Sequence, residues 1–82
     1  MLANNDERAH LTPIQLELLH FLKLFIDEYG YPPSIREISK ALTLRSNSTA
    51  HYHLHQLSEK GYVRVDPYKQ RAIVILPEAE TS

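Results

Sequence analysis

Cysteine is absent from these 82 residues, so disulfide frameworks, thiolate metal sites and thiol redox chemistry are excluded. No apolar run approaches the roughly 18 residues of a membrane span, and no basic-then-apolar leader opens the chain. A membrane partner is therefore not expected, and the cytosol is the expected compartment. Internal repeats and low-complexity tracts are missing too. There is also no excess of basic charge: nine Lys and Arg against ten Asp and Glu give a net charge of -1. Neutralising phosphates is the main source of nucleic-acid affinity, so that sum by itself counts against such a partner. Size sets a further limit. A chain this short forms one domain and buries only about 60–65% of its unfolded surface, too little for a large enclosed active site. No Ser/Lys, Cys/His or paired-carboxylate constellation falls on a plausible pocket, so an enzyme is not expected, nor a cofactor or small-molecule ligand.

What is present is unevenly placed. Between residues 34 and 76 stand seven cations (Arg36, Lys40, Arg45, Lys60, Arg64, Lys69, Arg71) against three acids (Glu37, Glu59, Asp66), an excess of four. The other acids, Asp6, Glu7, Glu17, Asp27, Glu28, Glu78 and Glu80, lie in the tails and the first predicted helix. Such a bipolar chain can steer its basic part onto DNA despite the average.

The order of elements is written in capping and stop signals. Residues 1–10 read as a flexible leader and 77–82 as a polar tail or linker start, leaving one domain over 11–76. Thr12-Pro13-Ile14-Gln15 supplies a capping box with proline at the first helical position, and Gly30 before Pro32-Pro33 ends that helix near Tyr29. Ser34-Ile35-Arg36-Glu37 is a second capping box, opening a short helix with the stripe Ile35, Ile38, Ala41, Leu42. A third helix over 46–60 starts from Ser46, carries Ala50, Leu54 and Leu57 on one face and stops at Gly61. Two helices joined by three or four residues make a helix-turn-helix. Tyr62-Val63-Arg64-Val65, a turn through 66–70, and Ala72-Ile73-Val74-Ile75-Leu76 then read as a β-hairpin, the wing, with Lys69 and Arg71 near its tip. The predicted fold is α+β, a winged helix-turn-helix with three helices and a two-stranded wing.

A helix that enters the major groove needs an inner face of apolar residues and an outer face of polar ones near its start. The third helix has both, with Asn47, Ser48, His51, Tyr52 and His55 outward and Thr49 at the flank. Serine, threonine and histidine can exchange hydrogen bonds with base edges. Arg36 and Arg45, at the start of the second helix and in the turn, are candidates for the DNA backbone, whereas Lys23, Lys40 and Lys60 read as solvated lysines. His51 and His55, four apart, are too few for a zinc site, so no metal is expected, although histidine protonation in mild acid would strengthen phosphate binding.

The stretch YPPSIREISKALTLRSNSTAHYHLHQLSEKGYVRVDPYKQRAIVIL resembles the N-terminal DNA-binding domain of LexA-type SOS repressors, in the version found in Gram-positive bacteria. The likeness runs from Leu11 to Leu76 through Tyr31-Pro32-Pro33-Ser34, Arg36-Glu37-Ile38, Ser46 to His53, Lys60-Gly61 and Asp66 to Leu76. It implies a nucleoid-associated transcriptional repressor in the bacterial cytoplasm, reading a palindromic double-stranded operator as a two-fold pair. By that resemblance the base-reading positions are Ser46, Ser48, Thr49, His51 and Tyr52, and the wing contacts run from Lys69 through Gln70 to Arg71. Asn47 and His55 join Arg36 and Arg45 as expected backbone contacts. Thr43 stands where the family has glycine, and Tyr52 where relatives carry glycine, arginine or glutamate, which bears on operator preference. Full-length members carry a further self-cleaving, dimerising domain outside the matched stretch.

The first helix is apolar around more of its circumference than one core requires. Leu18, Leu19, Leu22, Ile26 and Tyr29 form the stripe expected to face the domain, and Ile14, Phe21, Leu24 and Phe25 fall to one side. That side is the expected surface of a weak homodimer, with deeper packing inside the monomer as the alternative. The competing function is a winged-helix protein-docking module that does not bind DNA, favoured by the negative net charge and this apolar helix.

Overall fold

Thr12 begins the first helix as expected: its Oγ1 accepts from the Gln15 amide at 3.3 Å while the Gln15 side chain accepts from the Thr12 amide at 3.1 Å. The computed structural model describes residues 11–66 and 73–77, and in it the elements run α1 (Pro13–Tyr29), α2 (Ile35–Ala41), α3 (Asn47–Glu59), β1 (Val63–Val65) and β2 (Ile73–Ile75). Ser34 and Glu37 close the same reciprocal box at the start of α2, at 2.8 and 3.2 Å. The Ser46 hydroxyl caps α3 by accepting from the Thr49 amide at 3.3 Å. Gly30 and Gly61 end α1 and α3 in the left-handed region at φ +82° and +86°.

The turn between α2 and α3 is closed by a threonine. Thr43 has φ +51°, the only positive value at a described non-glycine residue. Around it the Thr43 amide donates to Lys40 O at 3.2 Å and the Leu44 amide to Ser39 O at 2.8 Å, the paired bonds of a Schellman ending. A β-branched side chain in that region strains against the carbonyl that follows, at a cost of about 1–2 kcal/mol. Thr43→Gly is therefore expected to stabilise the domain by about 0.5–1 kcal/mol after glycine's own entropy is charged, raising the thermal midpoint by roughly 2–8 °C. A lower midpoint in a calorimetric scan would show that the threonine side chain stabilises more than its backbone angle costs.

The core is formed by Leu18, Leu19 and Leu22 of α1, Ile38 and Leu42 from the second helix and its cap, Ala50, Leu54 and Leu57 of α3, and Tyr62, Val63 and Ile73 from the wing. All three helices and the wing meet on it, with α3 packed against α1, α2 and β1. The wing is antiparallel, pairing Val63 with Ile75, Arg64 with Val74 and Val65 with Ile73. The expected wing tip, with Lys69, Gln70 and Arg71, lies outside the described residues. No helix among the described residues is long and apolar enough to cross a membrane.

Several side chains sit differently from expectation. Tyr29 has the angular position of the core stripe, but cover tapers along α1: Ile26 is half-buried and Tyr29 is 54% exposed. Ala41, expected in the inner stripe of α2, is exposed because the helix is rolled to bring Ser39 inside instead. Ile14 and Phe21 are partly buried against the core, so of the expected self-association side only Leu24, 69% exposed, stands fully outward. Phe25 is half-buried in a chain of rings, 5.7 Å from Phe21, 4.5 Å from Tyr29 and 5.9 Å from Tyr31.

Candidate nucleic-acid interface

The helix expected to read DNA is held at both ends. At its start the buried Ser39 hydroxyl lies 3.2 Å from Ser46 O and 3.1 Å from Asn47 Oδ1, sharing one proton between them and fastening α2 to the first turn of α3. At its end Lys60 Nζ donates to Gln15 Oε1 at 2.7 Å, tying the C-cap of α3 to the start of α1. Gln15 is only 6% exposed, and the same oxygen serves the α1 capping box, so one side chain secures two helix ends. Ala50, Leu54 and Leu57 seal the inner face.

With the inner face sealed, α3 presents Asn47, Ser48, His51, Tyr52 and His55 as exposed side chains and Thr49 as a half-buried one. They differ in how committed they are. Ser46 Oγ is used by the cap and lies 3.2 Å from Thr49 Oγ1, so these two hydroxyls are mutually engaged. Asn47 meets Ser39 through Oδ1, which leaves its amide donors as the outward polar group. His55 Nε2 lies 3.0 Å from Glu59 Oε2, both side chains well exposed, so a phosphate at His55 would compete with that carboxylate. Tyr52, 60% exposed, packs edge-on against His53 at 5.4 Å. Ser48 and His51 have no polar partner among the described residues, and His51 with His55 borders a groove of about 250 Å3 against Val65 of the wing. His53 is turned inward, with Nδ1 buried and without a hydrogen-bond partner among the described residues.

Arg36 and Arg45, expected on the DNA backbone, converge. They border one cleft of about 370 Å3 together with Lys40, Ser39, Thr43, Leu44, Ser46 and Asn47. Lys40 reads from the sequence as a solvated lysine, yet its position four residues after Arg36 on α2 is a sign of a shared face. Ser39 and Gln15 carried no such sign, because their partners come from other elements.

The chain's residues 8–72 match the family model described as the LexA DNA binding domain. It is 55% identical over 71 residues to the LexA repressor of Bacillus mycoides (strain KBAB4), a match covering 87% of this chain and 35% of that protein. To the LexA repressors of Bacillus thuringiensis (strain Al Hakam) and Bacillus anthracis it is 57% identical over 68 residues, 83% of this chain and 33% of each relative. The chain thus spans about a third of the length of the curated relatives it matches.

Proposed function

The chain belongs to the LexA DNA-binding domain family, and on that premise we propose that it is the DNA-reading part of a transcriptional repressor of the bacterial cytoplasm, bound to nucleoid DNA at palindromic operators. One observation carries the reading beyond the family name. A helix clamped at both ends turns a row of polar side chains outward at its N-terminal half, beside a cleft bordered by three cations. Base edges are read by such side chains, and phosphates are met by such cations. Ser48, Thr49, His51 and Tyr52 then distinguish bases, with Ser46 serving chiefly as the cap that orients them. Arg36, Arg45, Asn47 and His55 supply backbone contacts, joined by Lys69, Gln70 and Arg71 of the wing. Selection of bound duplexes from a random pool at fixed salt is the test. Enrichment of a palindrome is expected; enrichment of no sequence would favour the docking module instead.

A two-fold pair on a palindrome gains from contact between its halves, since a single small module buries only about 600–1,000 Å2 on DNA. The surface suited to that contact is narrower than the sequence suggested: Leu24 is 69% exposed and borders a groove with Tyr31, 47% exposed, whose ring meets that of Phe25. Sedimentation velocity should show a concentration-dependent shift for the wild type that Leu24→Glu removes. Two monomers at high concentration, with equal operator binding, would eliminate pairing through α1.

A further inference from the structure

The cleft between α2 and the start of α3 concentrates positive charge that no ion pair among the described residues offsets. Arg36 stands in the first turn of α2, Lys40 in its last turn and Arg45 in the turn that follows, and all three are exposed. None of the three makes an ion pair among the described residues, and no acid borders the cleft. The nearest acid in sequence, Glu37, has its carboxylate on the Ser34 amide, held by the capping box. Three like charges around about 370 Å3 repel one another, and a bound anion relieves that repulsion.

The neutral groups fit the same occupant. Ser46 and Asn47 border the cleft at the start of the 13-residue helix α3, where the dipole favours negative charge and the first turn holds no acidic residue. Asn47, its Oδ1 turned to Ser39, has amide hydrogens left to donate. Leu44 and Thr43 complete the lining, with Thr43 in the left-handed backbone region. Donors converging from two helices and the intervening turn suit a singly charged oxyanion with several acceptor atoms, such as a phosphodiester.

We infer that this cleft is a phosphate cradle for the DNA backbone, in which Lys40 acts with Arg36 and Arg45 to set the register of α3 on the duplex. The inference rests on the DNA-binding reading above and adds to it a residue and a single convergent site. Because a phosphate contact carries no sequence information, loss of Lys40 weakens all duplexes alike.

The test is a salt titration of binding by fluorescence anisotropy, using the whole chain with its selected operator and with a scrambled duplex. Lys40→Gln is expected to lower affinity for both DNAs by the same factor and to reduce the slope of log K against log salt by about 0.9, whereas Lys40→Arg keeps the wild-type slope. Lys23→Gln, which removes a charge from the groove between α1 and β2, is expected to leave the slope unchanged. Thermal midpoints measured alongside establish that each variant is folded. An unchanged slope in Lys40→Gln, a loss confined to the operator, or an equal drop in Lys23→Gln overturns the cradle while leaving the DNA-binding reading intact. Failure of the wild type to bind any duplex overturns both.

Discussion

Truncation after Lys60 is expected to abolish the cooperative thermal transition, because the wing supplies core and not only a DNA contact. Tyr62, Val63 and Ile73 are 3%, 1% and 6% exposed, and Val65 and Ile75 lie partly buried against the same cluster. Burying one such side chain stabilises by about 1.5–3 kcal/mol, so the three fully buried ones together contribute on the order of 5–9 kcal/mol. A domain of this size has a total stability of roughly 4–12 kcal/mol. The cut also removes the amide of Tyr62 that donates to Leu57 O at 3.0 Å and finishes α3. Circular dichroism during heating should show a broad, non-cooperative loss of helix in the truncated chain, and a sharp transition would show the three helices to be self-sufficient. A gentler variant separates packing from chain length: Ile73→Ala is expected to stay folded at low temperature but lose about 2–5 kcal/mol.

The contrast between what the sequence revealed and what it hid follows from the reach of each interaction. Thr12 with Gln15, Ser34 with Glu37 and Ser46 with Thr49 are bonds between residues three apart, so the boundaries of all three helices were readable before any tertiary contact was known. Gly30 and Gly61 were readable for the same reason, since a left-handed residue is a local demand. The resemblance to the repressor family flagged Thr43 as standing at a glycine position, and the threonine adopts the angle a glycine would.

Contacts between distant segments were not readable. Gln15 and Lys60 are 45 residues apart, and nothing in either neighbourhood marks Gln15 as a buried polar anchor instead of a solvated one. The inward roll of α2 depends on Ser39 finding Ser46 O and Asn47 Oδ1, which outweighs burying the single methyl of Ala41. Tyr29 failed for a geometric reason, because helical periodicity gives direction around an axis but not how far along it the partner extends. The same gap explains Lys40. Its charge was visible, but only the fold closes Arg36, Lys40 and Arg45 around one cleft.

His51→Ala should cost about 1–3 kcal/mol on the selected operator, or roughly 5- to 150-fold in affinity, while changing binding to scrambled DNA little. His51 is the cleanest probe of base reading on α3, because it is exposed and has no polar partner among the described residues. Its removal leaves the Ser46 cap, the Ser39 fastening and the inner face of Ala50, Leu54 and Leu57 untouched. Alanine is also the better helix former, so lost affinity cannot be charged to lost folding. Thr49→Ala would be harder to interpret, since Thr49 Oγ1 is 3.2 Å from the Ser46 hydroxyl and the change disturbs the cap as well. Arg45→Ala provides the opposite pattern: it should weaken operator and scrambled duplex by similar factors and flatten the salt dependence, as a phosphate contact does. Equal losses on both DNAs for His51→Ala would move that residue from base reading to backbone contact, and no loss on either would place the reading face nearer Ser48 and the helix start. A ratio of operator to scrambled affinity that collapses in His51→Ala but survives in Arg45→Ala is the result expected if the outward row of α3 specifies sequence and the turn supplies charge.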